Sequence, residues 1–279
     1  MCPQCKNSNL STIGVPKHDT KYKVNLCAEC GFVFTLPRPT PAELVDYYGS
    51  DYFVASEKGA GYDNYYEIGE HNMRRMWSEY LQIAGKSPNK LLDVGSASGA
   101  FLHEALISGV NVLGLELSCD AAERAIKVHH VPTIIGDMWS SELDTNTFDA
   151  ITMWHVLEHT IDPVGVIQRA SSLLHENGTL FIELPQWNSM GRIVKGMMWS
   201  QLVPPAHINF WTVSSMSRLL VQNGFRVERI QTVGLSGMRG LSHRFTYLAW
   251  LFRGLEWLVE SCQWGGYIRV LAVKADKAA

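Results

Sequence analysis

The chain has no basic surplus. Its 24 Lys+Arg stand against 27 Asp+Glu, a net charge of −3. A dedicated nucleic-acid binder carries a Lys/Arg-rich face, so that class is disfavoured. No run of 18 apolar residues occurs, so no spanning helix is expected. The opening MCPQC has no apolar stretch of the secretory kind, and a cytoplasmic location follows as the default. Internal repeats and low-complexity tracts are also missing. With 46 % hydrophobic and 18 % charged residues over 279 positions, the composition excludes global disorder. It allows one large domain, or a main domain with a small one attached.

Cysteine is sparse but patterned. Four of the six form CxxC-x21-CxxC: Cys2, Cys5, Cys27 and Cys30. Four thiolates at this spacing surround one Zn²⁺ tetrahedrally, each pair on a tight knuckle. Filling all four positions makes such a zinc structural. Cys119 and Cys262 stand alone and are expected to be buried as small hydrophobes.

Three parts follow from the pattern: a zinc ribbon over 1–36, a helical connecting or cap region over 37–88, and a main domain over 89–279. Six of the ten tyrosines fall between Tyr47 and Tyr66. The main domain alternates strands and helices. Strands are expected at Lys90–Val94, Asn111–Leu117, Thr133–Ile135, Phe148–Trp154, Thr179–Leu184, Phe225–Val233 and Tyr267–Val273. Helices are expected at Gly99–Ser108, Cys119–His129, Asp162–Leu174 and from an N-cap at Thr212 to Asn223, with a turn at Asn177–Gly178. This alternation is that of an α/β fold, a parallel sheet covered by helices on both faces. Ligands of such sheets sit beyond the carboxyl ends of the strands.

Those ends carry the chemistry. "LLDVGSASGAF" (91–101) places Gly95, Ser96, Ala97, Ser98 and Gly99 in one turn, small enough for a ligand to approach the backbone. Glu116, followed by Leu117, ends the second strand 21 residues after Gly95, where an acid accepts ribose hydroxyls. Asp137 in "IIGDMWS" can accept from an adenine amine, with Met138 and Trp139 covering the ring. The set fits an adenosine cofactor. Asp93, just before the loop, would repel a pyrophosphate and attract a sulfonium. That favours S-adenosylmethionine (SAM) over NAD.

"LLDVGSASGAF", "LGLELS", "GDM" and "FDAITMWHVLEHTIDP" together resemble class I SAM-dependent methyltransferases, in the subgroup whose fourth strand ends in HVLEH. The resemblance covers roughly residues 90–230. It implies a Rossmann-like seven-stranded sheet with the last strand antiparallel. It also implies that Gly95–Gly99 pass under the methionine part, with Trp154 and His155 at the cofactor's edge. The family usually has a glycine where Ala97 stands. The ribbon followed by "CGFVFTLPRPTPAELVDYYGSDYF" is similar to the front of nucleotide-sugar C-methyltransferases. There, a histidine followed by an aromatic pair supplies the base, a pattern matched by His207, Phe210 and Trp211. The glutamate preceding that histidine is Ala206 here, and the tyrosine upstream falls at Pro204, so the dyad and C-methylation are not carried over.

His207 and His159 are the candidate catalytic residues. His159 and Glu158 can also simply hold the turn. The expected function is methyl transfer from SAM to a small-molecule acceptor, a hydroxyl of a sugar, glycan or lipid-linked intermediate. The alternatives are an RNA methyltransferase docking through the ribbon, a non-catalytic SAM-fold module, and an NAD oxidoreductase. The apolar insertion 234–266 has Leu248, Leu251, Phe252, Leu255 and Val259 at helical spacing. It is read as a core or dimer-packing helix, with a lid or a peripheral membrane contact as the sharper option.

Overall fold

The computed structural model describes residues 1–17, 19–40, 43, 70–234, 254 and 258–275. The tyrosine-rich stretch and most of the 234–266 insertion lie outside them.

In chain order the strands are β1 (Leu10–Gly14), β2 (Lys23–Cys27), β3 (Val33–Leu36), β4 (Lys90–Val94), β5 (Asn111–Glu116), β6 (Thr133–Ile135), β7 (Phe148–Trp154), β8 (Leu174–Pro185), β9 (Asn209–Phe210), β10 (Phe225–Val233) and β11 (Tyr267–Lys274). The helices are α1 (Glu70–Ala84), α2 (Ala100–Ile107), α3 (Cys119–His129), α4 (Pro163–Leu173), α5 (Met190–Lys195) and α6 (Val213–Gln222). Seven strands form one sheet in the order β10-β11-β8-β7-β4-β5-β6. β4 runs parallel to β5 and β7, and β5 parallel to β6. All seven strands expected from the sequence are in this sheet.

The chain divides into two compact units: residues 40–154, 166–181 and 271–279 in one, and residues 1–39, 155–165 and 182–270 in the other. In the first, the apolar stripe of α1 (Met73, Trp77, Tyr80, Ile83) is buried with Leu91, Phe101, Leu102 and Phe181. These positions recur at helical spacing, so one face of α1 is removed from water. The Trp77 indole N–H donates to Ser108 Oγ at 3.1 Å. At the other end of the loop that follows β4, Gly99 fits because a Cβ there would lie 2.8 Å from Ala125 Cβ of α3.

The second unit holds the cysteine pairs. β1, β2 and β3 form an antiparallel sheet that β9 extends, with Val33 opposite Phe210 and Phe34 opposite Asn209. Val24, Val33, Trp187, Trp199, Leu202 and Phe210 make its core. Gln4 Nε2 donates to the Ser215 carbonyl, and Trp211 Nε1 donates to Gln4 Oε1, each at 3.1 Å. The N-cap expected at Thr212 is a full capping box with Ser215, which satisfies two N–H groups at the start of α6.

Two expectations are corrected. Asn177–Gly178 does not separate α4 from a later strand, because β8 begins at Leu174. Asn177 does adopt φ 61°, so the left-handed bend that the Asn-Gly pair favours is accommodated inside the strand. Cys119 and Cys262 are exposed, not buried. Cys119 follows the N-cap Ser118, a position that faces solvent.

Candidate active site

The strand-end loop is built by three left-handed residues, Gly95 (φ 69°), Ala97 (φ 46°) and Gly99 (φ 76°). Glycine adopts this conformation freely, whereas at Ala97 it costs about 1 kcal/mol. The cost is offset by a carboxylate. Glu116 Oε2 accepts from the Ala97 N–H and Oε1 from the Ser118 N–H, each at 2.9 Å. Gly114, two residues earlier on β5, leaves room for the loop: a Cβ there would stand 2.6 Å from Ser96 Oγ. The hydroxyls of Ser96 and Ser98 are buried with no partner. Buried donors of this kind are usually satisfied, and these two could donate to a polar ligand.

Asp93 is buried at the end of β4 and accepts from the Thr152 hydroxyl at 2.6 Å. Burial raises its pKa to about 7. The Thr152 hydrogen bond opposes that rise and the Glu116 charge adds to it. Burial also raises Glu116, against the N–H groups it accepts. Asp137 is exposed, and its Oδ1 accepts from the Trp139 N–H at 2.9 Å, an Asx turn. Met138 is buried, while Leu117 and Trp139 are exposed. Trp154 packs its ring on Phe181 (4.7 Å) and Phe101 (5.3 Å).

In the other unit, the HVLEH turn assembles a charged cluster. His155 adopts φ 56°. Its Nδ1 lies 3.2 Å from Glu158 Oε1, and its Nε2 3.2 Å from Glu183 Oε1. The Arg269 Nε donates to Glu183 Oε2. Burial disfavours the imidazolium, but the bonds to Glu158 and Glu183 outweigh it and lift the His155 pKa to about 10. Burial likewise opposes the Glu183 charge, yet His155 and Arg269 hold it down at about 2. Two cations and two carboxylates thus cancel, the condition under which buried charge is tolerated.

His159 and His207 come together as an edge-to-face pair, 4.7 Å between ring centres. Nδ1 of His159 is 3.1 Å from the Ala206 carbonyl, and Nδ1 of His207 is 2.8 Å from that of Gln201. A carbonyl only accepts, so each Nδ1 carries the proton, and Nε2 of His207 keeps a lone pair, whereas His159 also hydrogen-bonds the His155 backbone. Burial lowers both pKa values, His207 to about 3. Glu158 completes the group: one ligating atom from each of Glu158, His159 and His207 lies within 4.8 Å of the others. Its Oε2 is buried and unpartnered. Arg38 braces the cluster's backbone, donating to the carbonyls of Ile208 (2.9 Å), Thr160 (2.9 Å) and Ile161 (3.0 Å).

The four cysteines of the CxxC pairs also meet. Cys2 and Cys30 sulfurs are 3.6 Å apart, and those of Cys5 and Cys27 3.5 Å. The residue after each pair is left-handed, Lys6 at φ 60° and Gly31 at φ 71°. Each donates back to the first cysteine's carbonyl, Lys6 to Cys2 at 3.0 Å and Gly31 to Cys27 at 2.9 Å.

The sequence missed Thr152, Gly114, Glu183, Arg269 and Arg38. Only Arg38 had a local signal, a lone cation between Pro37 and Pro39.

The sheet order, the glycine-bounded loop and the acid ending β5 are those of the class I SAM-dependent methyltransferase fold. The chain belongs to the methyltransferase-domain family, whose model matches residues 69–230. Among curated proteins it is similar to the ubiquinone biosynthesis O-methyltransferase of Haemophilus ducreyi, 27 % identical over 140 residues, 46 % of this chain and 57 % of that one. The protein of the same name from Glaesserella parasuis is 31 % identical over 103 residues, 33 % of this chain and 44 % of that one. The chain thus spans less than two thirds of these relatives. A SAM-dependent methyltransferase from Archaeoglobus fulgidus shares the fold with a TM-score of 0.53 at 16 % identity, covering 76 % of this chain and 100 % of that one. One from Mesorhizobium loti gives 0.50 at 18 % identity, with 66 % and 90 % covered.

The cluster around His155 sets a pH dependence. Its folded pKa is raised, so its stabilisation is complete below the unfolded value near 6.5 and lost as pH rises through about 10. His155→Gln is expected to be less stable than wild type by about 2 kcal/mol at pH 6, the ring's partial exposure reducing the full buried-pair cost. The gap shrinks towards pH 10. Urea unfolding of both proteins from pH 6 to 10 measures it, and a gap independent of pH contradicts the charged assignment.

Proposed function

We propose that this chain transfers the SAM methyl group to a hydroxyl of a small-molecule acceptor. The observation that carries the acceptor half is the buried His207 imidazole, its proton fixed on Nδ1 by the Gln201 carbonyl and a lone pair on Nε2, with the His159 ring packed edge-on against it. Nε2 of His207 takes the hydroxyl proton as the oxygen attacks the methyl carbon, and the thioether leaves. Asp93, Gly95, Ser96, Gly99, Glu116, Leu117, Asp137, Met138, Trp154 and His155 hold the cofactor. Glu116 accepts from the ribose, and the unpartnered Ser96 and Ser98 hydroxyls gain partners. The cofactor's sulfonium favours ionised Asp93.

The HVLEH and zinc-ribbon resemblance supports a sugar or glycan hydroxyl as the acceptor. The relatives' name, an O-methyltransferase of ubiquinone biosynthesis, supports transfer to an oxygen. The net charge of −3 speaks against RNA.

One observation favours a second route to the same reaction: the buried, unpartnered Glu158 Oε2, with a ring nitrogen of His159 and one of His207 within 4.8 Å of a Glu158 oxygen. Glu158, His159 and His207 would hold a divalent cation there, and such a cation would supply Lewis acidity to an acceptor hydroxyl. The experiment is transfer from methyl-labelled SAM into a catechol and a sugar-nucleotide acceptor panel, with His207→Gln alongside. Base catalysis predicts label in an organic product and about 100-fold loss in the variant, whatever cation is added. Rescue by added cation after chelation marks the second route, and label found only in RNA overturns the small-molecule reading.

We further propose that Cys2, Cys5, Cys27 and Cys30 hold a structural Zn²⁺. Zinc–sulfur bonds of about 2.3 Å put tetrahedral sulfurs about 3.8 Å apart, close to the separations found. Burial raises the Cys2 thiol to about 11 and raises Cys30 as well, so these groups ionise only with a cation between them. Elemental analysis is expected to give about one zinc per chain in wild type and near zero in Cys27→Ser. Full retention in the variant contradicts the four-sulfur site.

A further inference from the structure

An exposed apolar ridge stands on the second unit, far in sequence from the insertion that suggested membrane contact. Ile193 and Val194 of α5 are 55 % and 79 % exposed, and Met198, in the 3-10 turn after it, is 56 % exposed. The ridge is not loosely attached. Trp187 and Trp199, which flank it in sequence, are buried in the ribbon core. Val15, 41 % exposed, adds to it from the end of β1, because the Lys17 N–H donates to the Met197 carbonyl at 3.4 Å.

Cations rim this ridge. Lys195 is exposed, and Lys17 reaches over Met198, its Nζ 3.7 Å from the sulfur. The Arg192 guanidinium sits 4.0 Å from the centre of the Trp187 ring. No acid occurs in the 44 residues from Leu184 to Val227, in a chain whose net charge is negative. Asp19 is the one acid of the β1–β2 connection, and its Oδ1 accepts from the Lys21 N–H.

Apolar side chains at the tip with lysine and arginine at the rim are what an interfacial segment presents to a bilayer. The apolar groups enter the acyl boundary while the cations meet headgroup phosphates. An RNA strand would use the cations but gain nothing from Ile193, Val194 and Met198. A neutral protein partner would use the apolar groups but not the cations. We propose that the α5 ridge, with Lys17, Arg192 and Lys195, docks this protein on an anionic membrane surface. The assignment stands on these residues and does not depend on the identity of the methyl acceptor.

Sedimentation with phosphatidylcholine vesicles, with and without about 30 % phosphatidylglycerol, tests it using the full chain. Wild type is expected to sediment with the anionic vesicles and about tenfold less with neutral ones. Val194→Asp, at a solvent-facing position, and Lys195→Glu are each expected to weaken anionic binding about tenfold while keeping the wild-type melting temperature. Failure of wild type to bind anionic vesicles overturns the proposal. So does unchanged binding by both variants, or binding to a single-stranded RNA that displaces the vesicles.

Discussion

The Glu116 carboxylate is the constraint on which the first unit's site depends. One oxygen holds the Ala97 N–H and the other the Ser118 N–H, so a single side chain ties the loop after β4 to the end of β5. The loop needs this tie because Ala97 is left-handed without being glycine. Gly114 makes the approach sterically free, and Gly99 lets the loop pack on α3. Charge enters the same structure: burial first, and the Glu116 charge after it, raise the Asp93 pKa to about 7. An incoming cation can therefore draw a full carboxylate from Asp93, whereas an anion finds a site that disfavours it. This is the physical basis for choosing a sulfonium cofactor over a pyrophosphate.

The second unit solves a different problem, how to bury several charges and imidazoles near one turn. His155 is held between Glu158 and Glu183, with Arg269 closing the chain of charges. That fixes one oxygen of Glu158 and leaves the other aimed at no protein donor. Burial lowers the pKa of both His159 and His207, and a backbone carbonyl accepts from Nδ1 of each. Arg38, at the end of the segment that carries the cysteines, braces the carbonyls of the same region. The ribbon and the cluster therefore share a framework, since β9 follows His207 by one residue and pairs with β3. Loss of the cysteine site is thereby linked to the geometry of the histidines.

Much of this was legible in the sequence, and the reason is local. Lys90–Val94, Cys119–His129, Thr133–Ile135, Phe148–Trp154 and Phe225–Val233 are read residue for residue because hydrophobic pattern and capping agree there. The cysteine pairs were legible because a knuckle is encoded within four residues. Asn177–Gly178 misled because a turn dipeptide also serves as a bend inside β8. Glu183, Arg269 and Arg38 were invisible because their partners lie 28, 86 and more than 100 residues away in the chain. The family's glutamate, next to the base in sequence, is replaced by Ala206 here. The acid actually brought near is Glu158, 49 residues earlier.

The most direct test is calorimetric titration of SAM into wild type and Glu116→Gln at pH 7.5. The amide can still accept one N–H but presents a donor to the other, so the loop loses half its anchor and the proposed ribose acceptor loses its charge. Binding to wild type with a Kd in the micromolar range, and at least about 100-fold weaker binding in the variant, is the predicted result. Equal affinity in the two proteins, or NAD binding to wild type in place of SAM, contradicts the account.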